Sequence, residues 1–172
     1  MPGARILLVE DDPIIRDLLQ RNLVARGHEV RVAEDAGSAL LHLQSTHFNL
    51  IILDINLPDQ TGWEVLRTAL QNGWLAAQEI EGEDTKLPVV VLSAVRVSPR
   101  RLDEFHPLAY LPKPFPMEAI LRLAREAAGR RYGKAAYQVE EVVDTENPES
   151  DQSHEVTMDT ENPQPDEEEL HA

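Results

Sequence analysis

The chain has 172 residues, enough for one domain with its own core, and its 31 Asp and Glu against 16 Lys and Arg give a net charge of -15. It has no cysteine, which excludes disulfides, thiolate metal sites and thiol nucleophiles, and no apolar run approaches the roughly 18 residues of a membrane span. Thirteen of the acids lie between Gln138 and Ala172, where there is no Lys or Arg; the first 137 residues hold 18 acids against 16 bases, so neither part offers the cationic face that duplex binding needs.

Ile6-Leu7-Leu8-Val9 is a short apolar run suited to a buried parallel strand, and it runs into Glu10-Asp11-Asp12. Pro13 stands where a helix would begin, with Asp12 as its N-cap in preference to a metal ligand. Ile15, Leu18, Leu19 and Leu23 follow helical spacing up to a stop at Gly27. His28 to Ala33 alternates as a second strand, and Ala36, Ala39, Leu40 and Leu43 mark a second helix. Asn49 to Leu53 is the third strand and leads into Asp54; Pro58 to Gly62 is a turn, and Val65, Leu66, Ala69 and Leu70 mark a third helix ending near Gly73. Residues Trp74 to Lys86 are more than a connector requires and could prolong that helix or add a turn. Val89 to Leu92 forms the fourth strand and ends on Ser93, a short helix falls between Ser98 and Phe105, and Tyr110 to Pro112 is a brief fifth strand at the sheet edge ending on Lys113. Met117, Ile120, Leu121, Ala124 and Ala128 stripe a last helix that ends near Gly133.

Strands alternating with helices imply a parallel sheet covered on both faces, a doubly wound α/β domain over residues 1–133. Residues 134–172 form an acidic low-complexity tail in which Asp144-Thr145-Glu146-Asn147-Pro148 returns as Asp159-Thr160-Glu161-Asn162-Pro163. Its low hydrophobicity and like charge imply disorder, with the repeat as a possible partner motif.

The carboxyl ends of parallel strands face one edge, where ligands of open α/β sheets bind. Glu10, Asp11 and Asp54 would meet there with Lys113 and Ser93. Asp54 is the candidate nucleophile, because a carboxylate is already ionised at neutral pH and needs no general base. Two like charges ~4 Å apart cost about 4 kcal/mol at an effective dielectric near 20, so three acids call for a hard dication, and Mg²⁺ commonly bridges one or two carboxylates to a phosphate. Lys113 can pair with Asp54 at rest and with a phosphoryl oxygen afterwards, and Ser93 can donate to another phosphoryl oxygen. The implied product is an acyl phosphate on Asp54.

These segments (Ile6 to Asp12, Leu53-Asp54-Ile55-Asn56-Leu57-Pro58 through Gly62, Val91-Leu92-Ser93-Ala94, and Tyr110-Leu111-Pro112-Lys113-Pro114-Phe115) resemble the receiver domain of bacterial two-component response regulators over about Ala4 to Arg131. The resemblance implies a flavodoxin-like five-stranded sheet of order 2-1-3-4-5, an order known for that family. It implies phosphorylation of Asp54 by a sensor histidine kinase or phosphotransfer protein, with Mg²⁺ held by Asp11, Asp54, the Asn56 carbonyl and, through water, Glu10. Ser93, Tyr110 and Lys113 would form the switch, Tyr110 filling the space that Ser93 vacates, with a cis Lys113-Pro114 bond. Further expectations are a stand-alone cytoplasmic receiver that is not an enzyme, acting on an unknown downstream protein as a monomer or phosphorylation-dependent dimer, without direct DNA or membrane binding.

Three departures from the family stand out. Val95 is apolar where some relatives place a polar side chain that positions hydrolytic water, which implies slow self-dephosphorylation. Ser93 lies 39 positions after Asp54, and Pro99, His106 and Pro107 stand where the family usually has Gly-Ala before the fifth strand. The output face is therefore not implied. A dehalogenase-type phosphatase would want Asp-x-Asp after the first strand, whereas Asp54-Ile55-Asn56 follows the third, and the acidic first loop suits no flavin or nucleotide phosphate. A receiver-like adaptor that works without phosphorylation is the remaining alternative.

Overall fold

The computed structural model describes residues 3–76 and 86–129. Along them run β1 (Arg5–Val9), α1 (Pro13–Val24), β2 (Glu29–Ala33), α2 (Ala36–Ser45), β3 (Leu50–Asp54), α3 (Gly62–Gln71), β4 (Val89–Ser93), α4 (Pro99–Phe105), β5 (Ala109–Pro112) and α5 (Met117–Gly129). The strands are all parallel and lie in the order β2-β1-β3-β4-β5, as expected.

Successive side chains of a strand point to opposite faces, and here both faces are apolar and covered. Ile6, Leu8, Leu50, Ile52, Val90 and Leu92 pack with Leu19 and Leu23 of α1 and Ile120, Leu121 and Ala124 of α5. Leu7, Val9, Ile51, Leu53, Val89 and Val91 pack with Ala36, Ala39 and Leu43 of α2 and Val65, Leu66 and Ala69 of α3. α4 has no fully buried residue; Phe105 stacks on Trp63 with ring centroids 5.3 Å apart, and Arg67 pairs with Glu104 at 2.8 Å.

Local signals account for the helix ends. Asp12 accepts the amides of Ile14 and Ile15 at 2.8 and 3.1 Å, the capping role expected of it. Thr61 and Glu64 form a reciprocal capping box at the start of α3. Gly27 and Gly73 take positive φ (84° and 73°) after α1 and α3, where a side chain would be strained. Gly62 is required for a different reason: a Cβ there would lie 2.6 Å from the Asp54 carbonyl oxygen and 3.1 Å from Ile55 Cα. Gly62→Ala is expected to push α3 off the end of β3 and cost about 1–3 kcal/mol in urea unfolding; an unchanged midpoint would contradict this close approach.

Of the two readings left open for the segment from Trp74, the turn holds over its described residues. The segment from Trp74 does not prolong α3. Asn72 caps that helix, and Ala76 instead bridges antiparallel to Lys86, while the Leu87 amide donates to the Leu75 carbonyl at 2.8 Å. Burial of Leu75 draws the chain back to the sheet. Tyr110 on β5 is only 7% exposed, because the segment after β4 folds against it: Val97 belongs to the same apolar cluster and the Tyr110 hydroxyl donates to the Val95 carbonyl at 3.2 Å. The expected helix stop at Gly133, the boundary between 133 and 134 and the acidic tail lie outside the described residues.

Candidate functional site

Four strand ends build the site. Glu10 directly follows β1, and its amide continues the ladder to the Ala33 carbonyl at 3.0 Å. Asp54 is the last residue of β3, Ser93 the last of β4, and Lys113 directly follows β5, its amide donating to the Ser93 carbonyl at 2.8 Å. The Lys113-Pro114 bond is cis.

The sequence-derived acids and lysine converge. Ligand oxygens of Glu10, Asp11 and Asp54 lie within 4.8 Å of one another; Glu10 and Asp54 are buried and Asp11 is exposed. Lys113 Nζ donates to Asp54 Oδ2 at 2.8 Å and to Glu10 Oε1 at 3.1 Å, with its side chain 16% exposed. Asn56 joins through its amide, which donates to Asp54 Oδ1 at 2.9 Å. Each Asp54 oxygen therefore has its own holder.

One ammonium against three carboxylates leaves the cluster short of positive charge. The Glu10 carboxyl is raised to about 7 on balance: burial pushes it up most, the Lys113 hydrogen bond pulls it back, and the Asp54 charge adds to the rise. Lys113 would be lowered by its own burial, but its bonds to Asp54 and Glu10 outweigh that and hold it above the usual lysine range. Glu10 Oε2 lies 2.8 Å from the ammonium yet accepts no hydrogen bond of good geometry, leaving a fully buried acceptor unsatisfied. Hard oxygen donors, surplus negative charge and an orphan acceptor all fit a small dication such as Mg²⁺.

The Glu10 shift has a measurable sign. The folded protein retains on Glu10, between about pH 4.5 and 7, a proton that the unfolded chain has released, so this group's contribution to stability falls as pH rises through that window. His28, lowered mainly by burial, acts in the opposite direction. The metal-free melting temperature of wild type relative to Glu10→Gln is therefore expected to drop across the window, and Mg²⁺, which favours the carboxylate, to remove the drop. A pH-independent difference between the two proteins would contradict the assignment.

Ser93 is fully buried; its hydroxyl donates to the Val95 carbonyl at 2.8 Å and accepts the Val95 amide at 3.1 Å. The Tyr110 hydroxyl ends on the same carbonyl. Both hydroxyls expected to switch thus share one backbone acceptor.

Two residues were not singled out from the sequence. Arg16 of α1 donates through Nη1 to the carbonyls of Glu10 and Asp11 at 2.9 and 3.1 Å. Asp59, in the loop after β3, accepts the amides of Ala36 and Gly37 at 2.9 Å each. The placement of Arg16 four residues after a predicted N-cap could have suggested a side chain reaching back over the first loop, since helical side chains lean toward the N-terminus. Asp59 carries no such signal.

Comparison with known proteins agrees with this geometry. The family model of the response regulator receiver domain matches residues 6–125. Response regulator MprA of Mycobacterium tuberculosis is 33% identical over 125 residues, covering 72% of this chain and 50% of that protein. Transcriptional regulatory protein KdpE of the same species is 34% identical over 144 residues, covering 83% and 58%. The chain thus spans about half the length of the curated relatives it matches. Among solved structures, the chemotaxis response regulator CheY4 of Vibrio cholerae aligns with a TM-score of 0.61 and 26% identity over 73% of this chain and 98% of that one. The response regulator TrrA of Thermotoga maritima, solved in complex with Mg²⁺ and BeF, aligns with a TM-score of 0.58 and 28% identity over 74% and 99%. Among the described residues no helix is long and apolar enough to cross a membrane.

Proposed function

The chain belongs to the response regulator receiver family of two-component signalling, and from that premise we propose that Asp54 accepts a phosphoryl group from the phosphohistidine of a sensor kinase or phosphotransfer protein. The observation that carries the reading is Lys113 Nζ bonded to both Asp54 and Glu10 inside a cluster of three carboxylates.

An Asp54 oxygen attacks phosphorus; the new O–P bond forms as the P–N bond of the donor breaks, and the departing imidazole takes up a proton. Asp11, Asp54 and the Asn56 carbonyl, with Glu10 beside them, are the groups that would hold Mg²⁺, which when bound would supply the positive charge that lets an anionic phosphoryl group approach. The Asn56 amide orients the carboxylate through Oδ1. Lys113 follows the negative charge from Asp54 to a phosphoryl oxygen. Ser93 then exchanges the Val95 carbonyl for a phosphoryl oxygen, leaving that carbonyl to Tyr110 alone. Because Tyr110 is already inside, the step that depends on phosphorylation rests on Ser93 and the Val95 segment. A full swing from 1:99 to 99:1 would need about 5.5 kcal/mol of bias; less gives a graded response. The altered segment before α4 is what a downstream protein would read.

The test is incubation with Mg²⁺ and a small acyl phosphate, followed by intact mass. One phosphoryl adduct, abolished by chelation, is expected; no adduct over long incubation would overturn the reading. Val95, 59% exposed and two residues beyond Ser93, offers no polar group to orient a hydrolytic water. Slow self-dephosphorylation follows. Val95→Glu is expected to shorten the phosphoryl half-life several-fold, and an unchanged decay would rule out this role.

A further inference from the structure

The loops that carry the metal-facing oxygens are each tied to a neighbouring helix, the first to α1 and the second to α2. After β1, the Arg16 guanidinium bonds the carbonyls of Glu10 and Asp11, and its Nη2 lies 3.4 Å from Glu34 Oε2. After β3, Asp59 bonds the amides of Ala36 and Gly37 and that of Gln60 at 3.0 Å. Glu34, Ala36 and Gly37 all belong to the junction between β2 and α2.

Asp59 is more than a helix cap. α2 already has one, Asp35, whose side chain accepts the Ser38 amide at 2.7 Å. Asp59 takes the next two free amides of that helix end from a segment more than 20 residues away in sequence, and so anchors the turn between Asn56 and Gly62 to a rigid element. The same bonds, the Ala36 amide first, hold its carboxyl below the usual carboxylate range. Arg16 is 19% exposed and its bonds to the two carbonyls are charge-assisted, whereas its partner Glu34 is 71% exposed and contributes little.

We propose that Asp59 and Arg16 are positioning residues for divalent-metal binding, Arg16 splinting the Glu10–Asp11 loop to α1 and Asp59 splinting the Asn56 loop to the start of α2, so that the ligand oxygens are gathered before the ion arrives. The proposal rests on the phosphoacceptor reading of the site. Groups that hold metal ligands in place, without touching the ion, typically contribute 10–100-fold in affinity.

Calorimetric titration of the full chain with Mg²⁺, paired with metal-free thermal melts, tests it. Asp59→Ala and Arg16→Met are expected to raise the Mg²⁺ dissociation constant about tenfold or more. Asp59→Asn, of the same shape but able to accept through one oxygen only, should fall between wild type and Asp59→Ala, and it carries the test should the alanine variant not fold. Glu34→Gln should stay close to wild type. Variants that melt earlier but bind Mg²⁺ with unchanged affinity would overturn the proposal, reducing both residues to fold supports. Absence of Mg²⁺ uptake by the wild type would overturn the phosphoacceptor reading and the splint with it, so the two failures are distinguishable.

Discussion

Asp54→Asn is expected to take up no phosphoryl group from an acyl phosphate in the presence of Mg²⁺, however long the incubation. The substitution preserves shape, and the Asn56 amide can still donate to the side-chain oxygen that it meets at 2.9 Å. What is lost is the anionic oxygen: a neutral amide is too weak a nucleophile to attack phosphorus, and of the two carboxylates that remain Glu10 is already held by Lys113 and Asp11 is a ligand of the proposed metal site. The same change removes a buried negative charge next to Glu10. Part of the upward shift of Glu10 comes from Asp54, so Glu10 in the variant should ionise at lower pH. Intact mass reports the first effect and the metal-free melting profile against pH the second. An adduct that persists in Asp54→Asn would place the acceptor elsewhere. Full signalling by the variant in cells would instead support the adaptor that works without phosphorylation.

Lys113→Met is expected to produce the largest loss of stability. Among the described residues Lys113 is the one cation that bonds the Glu10 and Asp54 carboxylates, and both carboxylates are almost fully buried. Removing one member of a buried ion pair costs about 3–5 kcal/mol, because the remaining charges stay desolvated without a partner. The variant should relieve this in part by protonating Glu10, whose carboxyl already sits near 7 with the lysine present. Mg²⁺ should recover more stability in the variant than in wild type, since a dication can take over the charge compensation that the ammonium supplied. Urea unfolding with and without Mg²⁺ measures both quantities. A variant as stable as wild type without metal would mean that the carboxylates are better solvated than their burial implies.

Most of the architecture was legible in the residues. Ile6 to Val9, Leu50 to Leu53 and Val89 to Leu92 are apolar on both faces, as strands covered from two sides must be, and the helices between them announce themselves by spacing and caps. The parallel order then obliges Glu10, Asp54, Ser93 and Lys113 to share one edge, so their meeting there could be read before any coordinate. Strand ends shifted by a residue: Asp54 closes β3, pairing with Leu92, where the apolar run stopped at Leu53. The segment from Trp74 was ambiguous because its apolar residues suit a longer helix as well as a turn; in its described residues the chain turns after Asn72 and Leu75 is buried.

What the sequence determined by itself is what side-chain identity and period carry: which segments are strands, which helix ends are capped, and which acids and which base arrive at the sheet edge. Tertiary structure alone decided how those groups are held. Arg16 grips two carbonyls, Asp59 two amides, and Ser93 and Tyr110 meet on the Val95 carbonyl. Every one of these partners is a backbone atom, present at each position whatever the residue, so beyond the backward lean of Arg16 along α1 the pattern of letters does not single them out.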